Sequence, residues 1–348
     1  MSARYLVLIL IIAAAVVACS PAGEPEVTQQ DTTPTMDLYK EATLRFKPLP
    51  KSAESQDNPL NASKVELGKK LYYDTRLSKD GNISCNSCHD LATFGVDNEP
   101  TSDGDDGSRD DRNSPTVLNA AFHQTQFWDG RAKDVEEQAG MPILNPVEMA
   151  IPSEQFLVDR LSAVTEYPPL FAAAFPGEEE PLTYLNIQRA LAAFERTLIT
   201  PTRFDAYLEG DQAALTEQEK AGLAKFIQLG CTTCHNGVSI GAHSFQKFGL
   251  FDDYWEHTRS EMVDEGRYAV TENEADQYVF RVASLRNVAE TGPYFHDGSV
   301  DSLEDAIRIM VAVQLAIELR DEEVENLAAF LHSLSGEVPL QALQSAGT

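Results

Sequence analysis

Two pentapeptides constrain this chain more than anything else in it: Cys85-Asn86-Ser87-Cys88-His89 and Cys231-Thr232-Thr233-Cys234-His235. Cys-x-x-Cys-His is the attachment signature of a c-type haem, with two thiols for thioether bonds and an adjacent imidazole for the iron. Two copies imply two covalent haems, and two haems imply electron traffic. His89 and His235 are then the proximal ligands. Cys-x-x-Cys pairs also build zinc sites and thioredoxin-like redox sites. Here each pair is followed at once by histidine, and neither sits on a βαβ pattern. Of five cysteines, four belong to the two motifs and Cys19 is the remainder. No pair is left for a disulfide.

The start of the chain supports an exported protein. Arg4 precedes an apolar run from Tyr5 to Ala18, which reads as a signal peptide over residues 1–18 and is short for a membrane span. Val16-Val17-Ala18-Cys19 is similar to a bacterial lipobox, which would leave Cys19 as a lipid-modified N-terminus. An ordinary signal peptide with an incidental cysteine is the alternative. Residues 19–37, rich in Pro, Glu, Gln and Thr, read as a flexible tether. The expected location is the bacterial periplasm, with membrane contact through the lipid only. A formal net charge of −28, from 55 acids against 27 bases, disfavours nucleic acid and favours basic partners.

Hydrophobic periodicity predicts a mainly α protein of two cytochrome-c-like lobes, each with one covalent haem c, and few strands. The first domain is placed at 38–200, the second at 201–335, and a tail at 336–348. Val65, Leu67, Leu71 and Tyr72 predict a helix before the first motif. Residues 38–59 read as mostly irregular. Helices are expected at about 153–163 and 183–198, with Pro168-Pro169 breaking the chain between them. Thr216-Glu-Gln-Glu219 is a capping box opening a helix into Cys231. Further helices are expected over 303–319 and 324–334. The one internal repeat is helix followed by haem motif, 146 residues apart (231 − 85).

Four side chains stand out as candidates for chemistry. Met310, in an apolar helix after the second motif, suits a soft axial ligand that raises haem potential, or is core filler. Glu148, an acid in a largely apolar stretch, could shuttle a proton beside a haem, with Gln138 orienting a bound peroxide. Both could equally be surface groups. Trp128 could lie between the haems or be ordinary core.

The segments Gln126-Phe-Trp-Asp-Gly-Arg-Ala132, Arg112-Asn-Ser-Pro-Thr-Val-Leu-Asn119, Ala92-Thr-Phe-Gly-Val96 and Gly292-Pro-Tyr-Phe-His-Asp-Gly298 resemble the bacterial di-haem cytochrome c peroxidases. That family also contains the methylamine-utilisation di-haem enzyme, which oxidises a protein. The resemblance covers about residues 40 to 335. It implies a peroxidatic haem on His89 and a high-potential haem on His235 and Met310. It further implies that Glu148 is the acid–base residue, Gln138 its neighbour and Trp128 the inter-haem tryptophan. Asn113, with the carbonyls of Thr291 and Pro293, would bind one calcium ion, whose preference is for oxygen ligands. His296 would lie near the electron-transfer haem. Implied partners are hydrogen peroxide, a small cytochrome c or blue copper protein as electron donor, and a second copy of the chain.

One position departs from the family pattern. Members commonly carry Thr-Ser-x-Gly-His after the first motif, and that histidine caps the peroxidatic iron in the resting state. Here the loop reads Thr101-Ser102-Asp103-Gly104-Asp105. Asp105 is a poor iron ligand, and a loop so charged is expected to stay solvated. The first haem is therefore expected to be open already when oxidised, with no need of reductive activation. His123 is the alternative cap. The rival functions are a di-haem oxidase of a protein or organic substrate, and a non-catalytic di-haem carrier or redox sensor.

Overall fold

The computed structural model describes residues 37–343. The signal segment, Cys19, the tether up to residue 36 and the last five residues of the tail lie outside the described residues. The chain enters through α1 (Leu38–Arg45), whose N-terminus is capped by the Asp37 carboxylate accepting from Lys40 N. Around the first motif lie α2 (Ala62–Tyr72), α3 (Cys85–Cys88), α4 (Val135–Leu144), α5 (Glu154–Ser162), α6 (Tyr167–Ala174) and α7 (Tyr184–Glu195). Around the second lie α8 (Arg203–Leu208), α9 (Glu217–Gln228), α10 (Tyr254–Thr258), α11 (Tyr268–Thr271), α12 (Leu303–Leu315) and α13 (Asp321–His332), and α14 (Leu340–Leu343) follows. Among the described residues the one sheet is two short antiparallel strands, β1 (Phe245–Lys247) and β2 (Val279–Arg281), with Phe245 opposite Arg281. The fold is mainly α with few strands, as the periodicity requires.

Each haem motif is reached from a helix that crosses another at a glycine. On α2, Leu67, Leu71 and Tyr72 are buried, and Gly68 faces α7 so closely that a Cβ would fall 1.8 Å from the Ala190 carbonyl oxygen. On α9, Gly222 meets α13 the same way, with a Cβ 1.8 Å from the Asn326 oxygen. A phenylalanine follows each contact, Phe194 on α7 and Phe330 on α13. Phe194 packs edge-on to Tyr72 at 5.2 Å, and Phe330 lies 5.4 Å from Phe226. Two hydrophobic cores result. The first is built largely from α2, α5, α6 and α7, the second from α1, α8, α9, α12 and α13.

Several local expectations need correction. Residues 38–45 are helical, not irregular; the short α1 gains its stability from Ala42, and Phe46 just beyond it, buried against Phe204 and Phe226 of the second core. Pro168 and Pro169 do not break a helix. They occupy the first turn of α6, where the missing N–H groups have no intrahelical partner to lose. The helix expected to reach 319 stops at Leu315, where Ala316 turns left-handed. Ala342, in the tail, packs in the first core.

A buried ion pair fastens distant stretches at the second core. Arg286, whose side chain is fully enclosed, donates twice to the Asp205 carboxylate at 2.9 Å and through Nε to the Val238 carbonyl at 2.6 Å. The same carboxylate accepts from Leu49 N and Thr202 N.

Candidate active site

The first haem motif opens on a cavity of about 1300 Å³. Ser84 starts the single turn of α3, its N–H donating to Ser87 Oγ at 3.0 Å. That turn holds His89 through its own N–H, which donates to the Cys85 carbonyl at 3.0 Å. The His89 carbonyl accepts from the Tyr72 hydroxyl at 2.5 Å, so the histidine is pinned to α2. Its Nδ1 is buried without a partner. Burial lowers the basicity of the ring, which keeps it neutral and able to offer a lone pair.

Glu148 and Gln138 line this same cavity. Gln138 is carried by α4, which the Asp134 carboxylate caps at Glu137 N. Glu148 sits in the turn after α4, where Asn145 Nδ2 donates to Glu148 Oε1 at 2.6 Å. Burial pushes the Glu148 carboxyl above the usual range, and the Asn145 bond opposes that shift only in part. A carboxyl so placed holds its proton to higher pH than a solvated one.

Asp105 itself is not solvated as its charged loop suggests, although Asp103 and residues 106–109 of that loop are exposed. Asp105 is 4% exposed. Its carboxylate accepts from Asp80 N at 3.0 and 3.2 Å, its carbonyl from Asn82 Nδ2 at 2.7 Å, and its own N–H donates to the Glu148 carbonyl at 2.7 Å. Gly104 lies against the Val147 carbonyl, where a Cβ would come within 1.8 Å. Asp105 is thus held by the Asp80 backbone amide and the Asn82 side-chain amide, partners that the charge pattern alone does not reveal. Thr101, Ser102, Asp103 and Gly104 line the cavity wall. The Asp105 carboxylate is engaged on the turn at Asp80.

The second motif opens on a smaller cavity of about 480 Å³, lined by Cys231, Cys234, His235 and Met310. His235 Nδ1 sits 3.3 Å from the Ile240 carbonyl, so it carries the proton and Nε2 keeps the lone pair. Burial pushes this imidazole down to about 4, again favouring the neutral ligand form. Met310 is a partly buried residue of α12. Thr291 and Pro293 line the same cavity, as does Asn113, whose Nδ2 donates to the Glu99 carbonyl at 3.0 Å. His296 is buried here too, stacked on Phe280 at 4.3 Å, with Nε2 unpartnered.

Both cavities share a wall. Asn113, Pro115, Thr116, His123, Trp128 and Arg281 line each of them. Trp128 Nε1 donates to the Asn113 carbonyl at 2.9 Å, and the Trp128 carbonyl accepts from Arg281 N at 2.7 Å, so β2 fixes the tryptophan in the partition. Sequence reasoning missed Arg281 and also Glu195, which lines the first cavity and whose carboxyl burial pushes up to about 8. An acid inside the apolar run Ala192-Ala193-Phe194 was the available signal.

The donor set fits two c-type haems. Each cavity presents the two free thiols and the neutral histidine of its motif. Among the described residues no group of three or more His, Cys, Asp or Glu is placed to hold a metal ion, which leaves a zinc reading of either motif without its remaining ligands. No helix among the described residues is long and apolar enough to cross a membrane.

Comparison with known proteins places this geometry. A profile for di-haem cytochrome c peroxidases matches residues 62–213. The chain is 47% identical to cytochrome c551 peroxidase of Pseudomonas aeruginosa, over 87% of each chain. It is 45% identical to cytochrome c551 peroxidase of Nitrosomonas europaea, over 81% of this chain and 82% of that one. Identity to the methylamine utilization protein MauG of Methylorubrum extorquens is 34%, over 94% and 95%. Among solved structures, a MauG-like protein associated with microbial copper homeostasis superposes with a TM-score of 0.75 at 30% identity, covering 86% of this chain and 97% of that one.

Proposed function

We propose, from the premise that this chain belongs to the di-haem cytochrome c peroxidase family, that it reduces hydrogen peroxide to water with electrons from a small periplasmic redox protein. The observation that carries the reading is the convergence of Glu148, Gln138 and His89 on one cavity whose wall is shared, through Trp128, with the cavity of His235 and Met310. When bound, the haem on Cys85, Cys88 and His89 supplies the redox centre for peroxide, and the haem on Cys231, Cys234 and His235 supplies a relay for electrons.

The protein's own groups do the rest. Glu148 accepts a proton from the near peroxide oxygen and returns it to the departing one, and its raised carboxyl suits both roles. Asn145 holds one Glu148 oxygen and so leaves the other for the substrate. The Gln138 amide orients peroxide against Glu148. Two electrons and two protons then convert one peroxide to two waters. His235 and Met310 would hold the relay haem, and Trp128 lies in the wall between the two cavities. Asp105 is committed to the turn at Asp80, which supports a first haem open to peroxide in the oxidised enzyme, without reductive activation. Calcium at Asn113, Thr291 and Pro293, and a lipid anchor on Cys19, belong to the same proposal.

Higher identity to the two cytochrome c551 peroxidases than to MauG, and methionine at position 310, favour peroxidase over oxidation of a protein substrate. The deciding experiment is steady-state peroxide turnover with a reduced small cytochrome. Wild type should turn over, and Glu148→Gln should lose about 10²–10⁴-fold. Equal, negligible rates for both proteins would make the chain an electron carrier instead. The diferric electron paramagnetic resonance spectrum should contain a high-spin haem; two low-spin signals would refute the open site.

A further inference from the structure

The partition between the cavities holds two buried polar side chains that the chemistry above does not use. His123 follows a short turn at Ala120–Phe122, and neither of its ring nitrogens has a hydrogen-bond partner. Arg281, at the end of β2, donates through Nε to the Phe127 carbonyl at 3.0 Å, while its Nη1 is buried and unpartnered. Both residues line both cavities. A buried polar group left unpaired costs about 1–3 kcal/mol, and more when charged. Three such atoms in one partition therefore point to a partner that the polypeptide does not supply.

Most neighbouring groups are already engaged, and the Gln126 side-chain oxygen beside His123 can answer at most one of its two ring nitrogens and leaves Arg281 Nη1 without a partner. The Gln126 amide donates to the Ala120 carbonyl, and Trp128 Nε1 donates to the Asn113 carbonyl. The Asp129 carboxylate accepts from both Arg112 and Arg131. What is missing has to reach the partition from a cavity, satisfy a guanidinium and accept from an imidazole N–H. An anion does all three. An iron atom would satisfy one nitrogen of His123 and leave Arg281 Nη1 unanswered. The anionic substituents of a haem are its two carboxylates.

We propose that His123 and Arg281 form a carboxylate clamp in the shared wall, which binds a haem carboxylate. The proposal rests on the two-haem reading. Arg281 gives a charge-assisted bond and His123 a neutral N–H, which places His123 as a positioning residue that tunes a haem. Donation to the carboxylate withdraws negative charge from the macrocycle and so favours the reduced iron.

The test uses the holoenzyme and its His123→Leu, His123→Gln and Arg281→Lys variants. A pyridine haemochromogen assay first counts two haems per chain, so that failure of the two-haem reading is visible by itself. Potentiometric titration then follows each haem by absorbance, and resonance Raman follows the carboxylate bending modes. His123→Leu should shift the midpoint potential of at least one haem downward and move a carboxylate mode. His123→Gln, which keeps an N–H donor, should restore both. Unchanged potentials and modes in His123→Leu would overturn the clamp. Conversion of a low-spin signal to a high-spin one would also overturn it, by making His123 an iron ligand. If Arg281→Lys fails to fold, the two His123 variants still decide.

Discussion

Glu148 and Asp105 are joined by one backbone hydrogen bond, and their carboxylates have opposite surroundings. Glu148 faces the first cavity with one oxygen held by Asn145. Asp105 turns its carboxylate onto Asp80 N. For Glu148 the sign of the pH effect follows from burial. A raised carboxyl is protonated at higher pH than a free glutamate, so the basic form is lost earlier on acidification. The acid limb of kcat/KM for peroxide should therefore lie above the range of an ordinary glutamate, and it should vanish in Glu148→Gln. Asp105→Ala should cost about 1–3 kcal/mol in urea unfolding, since it removes the hydrogen bonds that this buried side chain accepts from the turn at Asp80. It should leave the diferric high-spin signal in place, and a changed signal would mean that Asp105 reaches the iron. Glu148 and Gln138 were singled out through the family resemblance, since the residues alone left both open as surface groups, and the structure places both on the first cavity. The burial of Asp105 was not legible, because its partner is a main-chain amide that any sequence provides. His123 was legible as an alternative iron cap, whereas the isolation of its ring nitrogens depends on tertiary packing.

At the scale of elements, the glycine crossings govern how each haem motif is presented. Gly68 and Gly222 are helical, so their value lies in the absence of a side chain and not in backbone freedom. Each lets a neighbouring helix approach to the point where a Cβ would overlap a carbonyl oxygen at 1.8 Å. Gly68→Ala and Gly222→Ala should each destabilise the holoprotein by about 1–3 kcal/mol through overpacking. Gly68→Ala should also disturb the absorbance of the first haem, because α2 carries the Tyr72 hydroxyl that holds the His89 carbonyl. Denaturant titration with absorbance as the second probe separates the two effects. The amphipathic helices were readable because their buried residues recur at helical spacing, as Leu67, Leu71 and Tyr72 do. α1 escaped because eight residues hold too short a period and depend on Phe204 and Phe226 from far along the chain. α6 escaped because adjacent prolines signal a break unless the first turn can be located.

At the scale of the molecule, two long-range forces act on different observables. The buried Arg286–Asp205 pair ties residues 47–49, the start of α8 and the strand-to-haem connection into the second core. Burial alone would raise the Asp205 carboxyl, but the Arg286 bonds hold it below the usual range. Its contribution to stability is therefore full above the ordinary carboxylate range and lost as pH falls through the lowered value. Asp205→Asn should cost about 3–5 kcal/mol at neutral pH, since it strands a buried guanidinium. The pair was invisible in sequence, because 81 residues separate its partners. Surface charge, by contrast, is read directly from composition. A formal net charge of −28 steers a donor with a basic face and repels an acidic one. Screening takes hold beyond about 8–10 Å between exposed charges at physiological salt, so it weakens steering while leaving chemistry inside a cavity largely untouched. Raising ionic strength should therefore lower kcat/KM for a basic cytochrome donor while the single-turnover reaction of the reduced enzyme with peroxide keeps its rate. Stopped-flow measurement of both steps across a salt series checks this. A donor step indifferent to salt would mean that the acidic surface plays no part in docking.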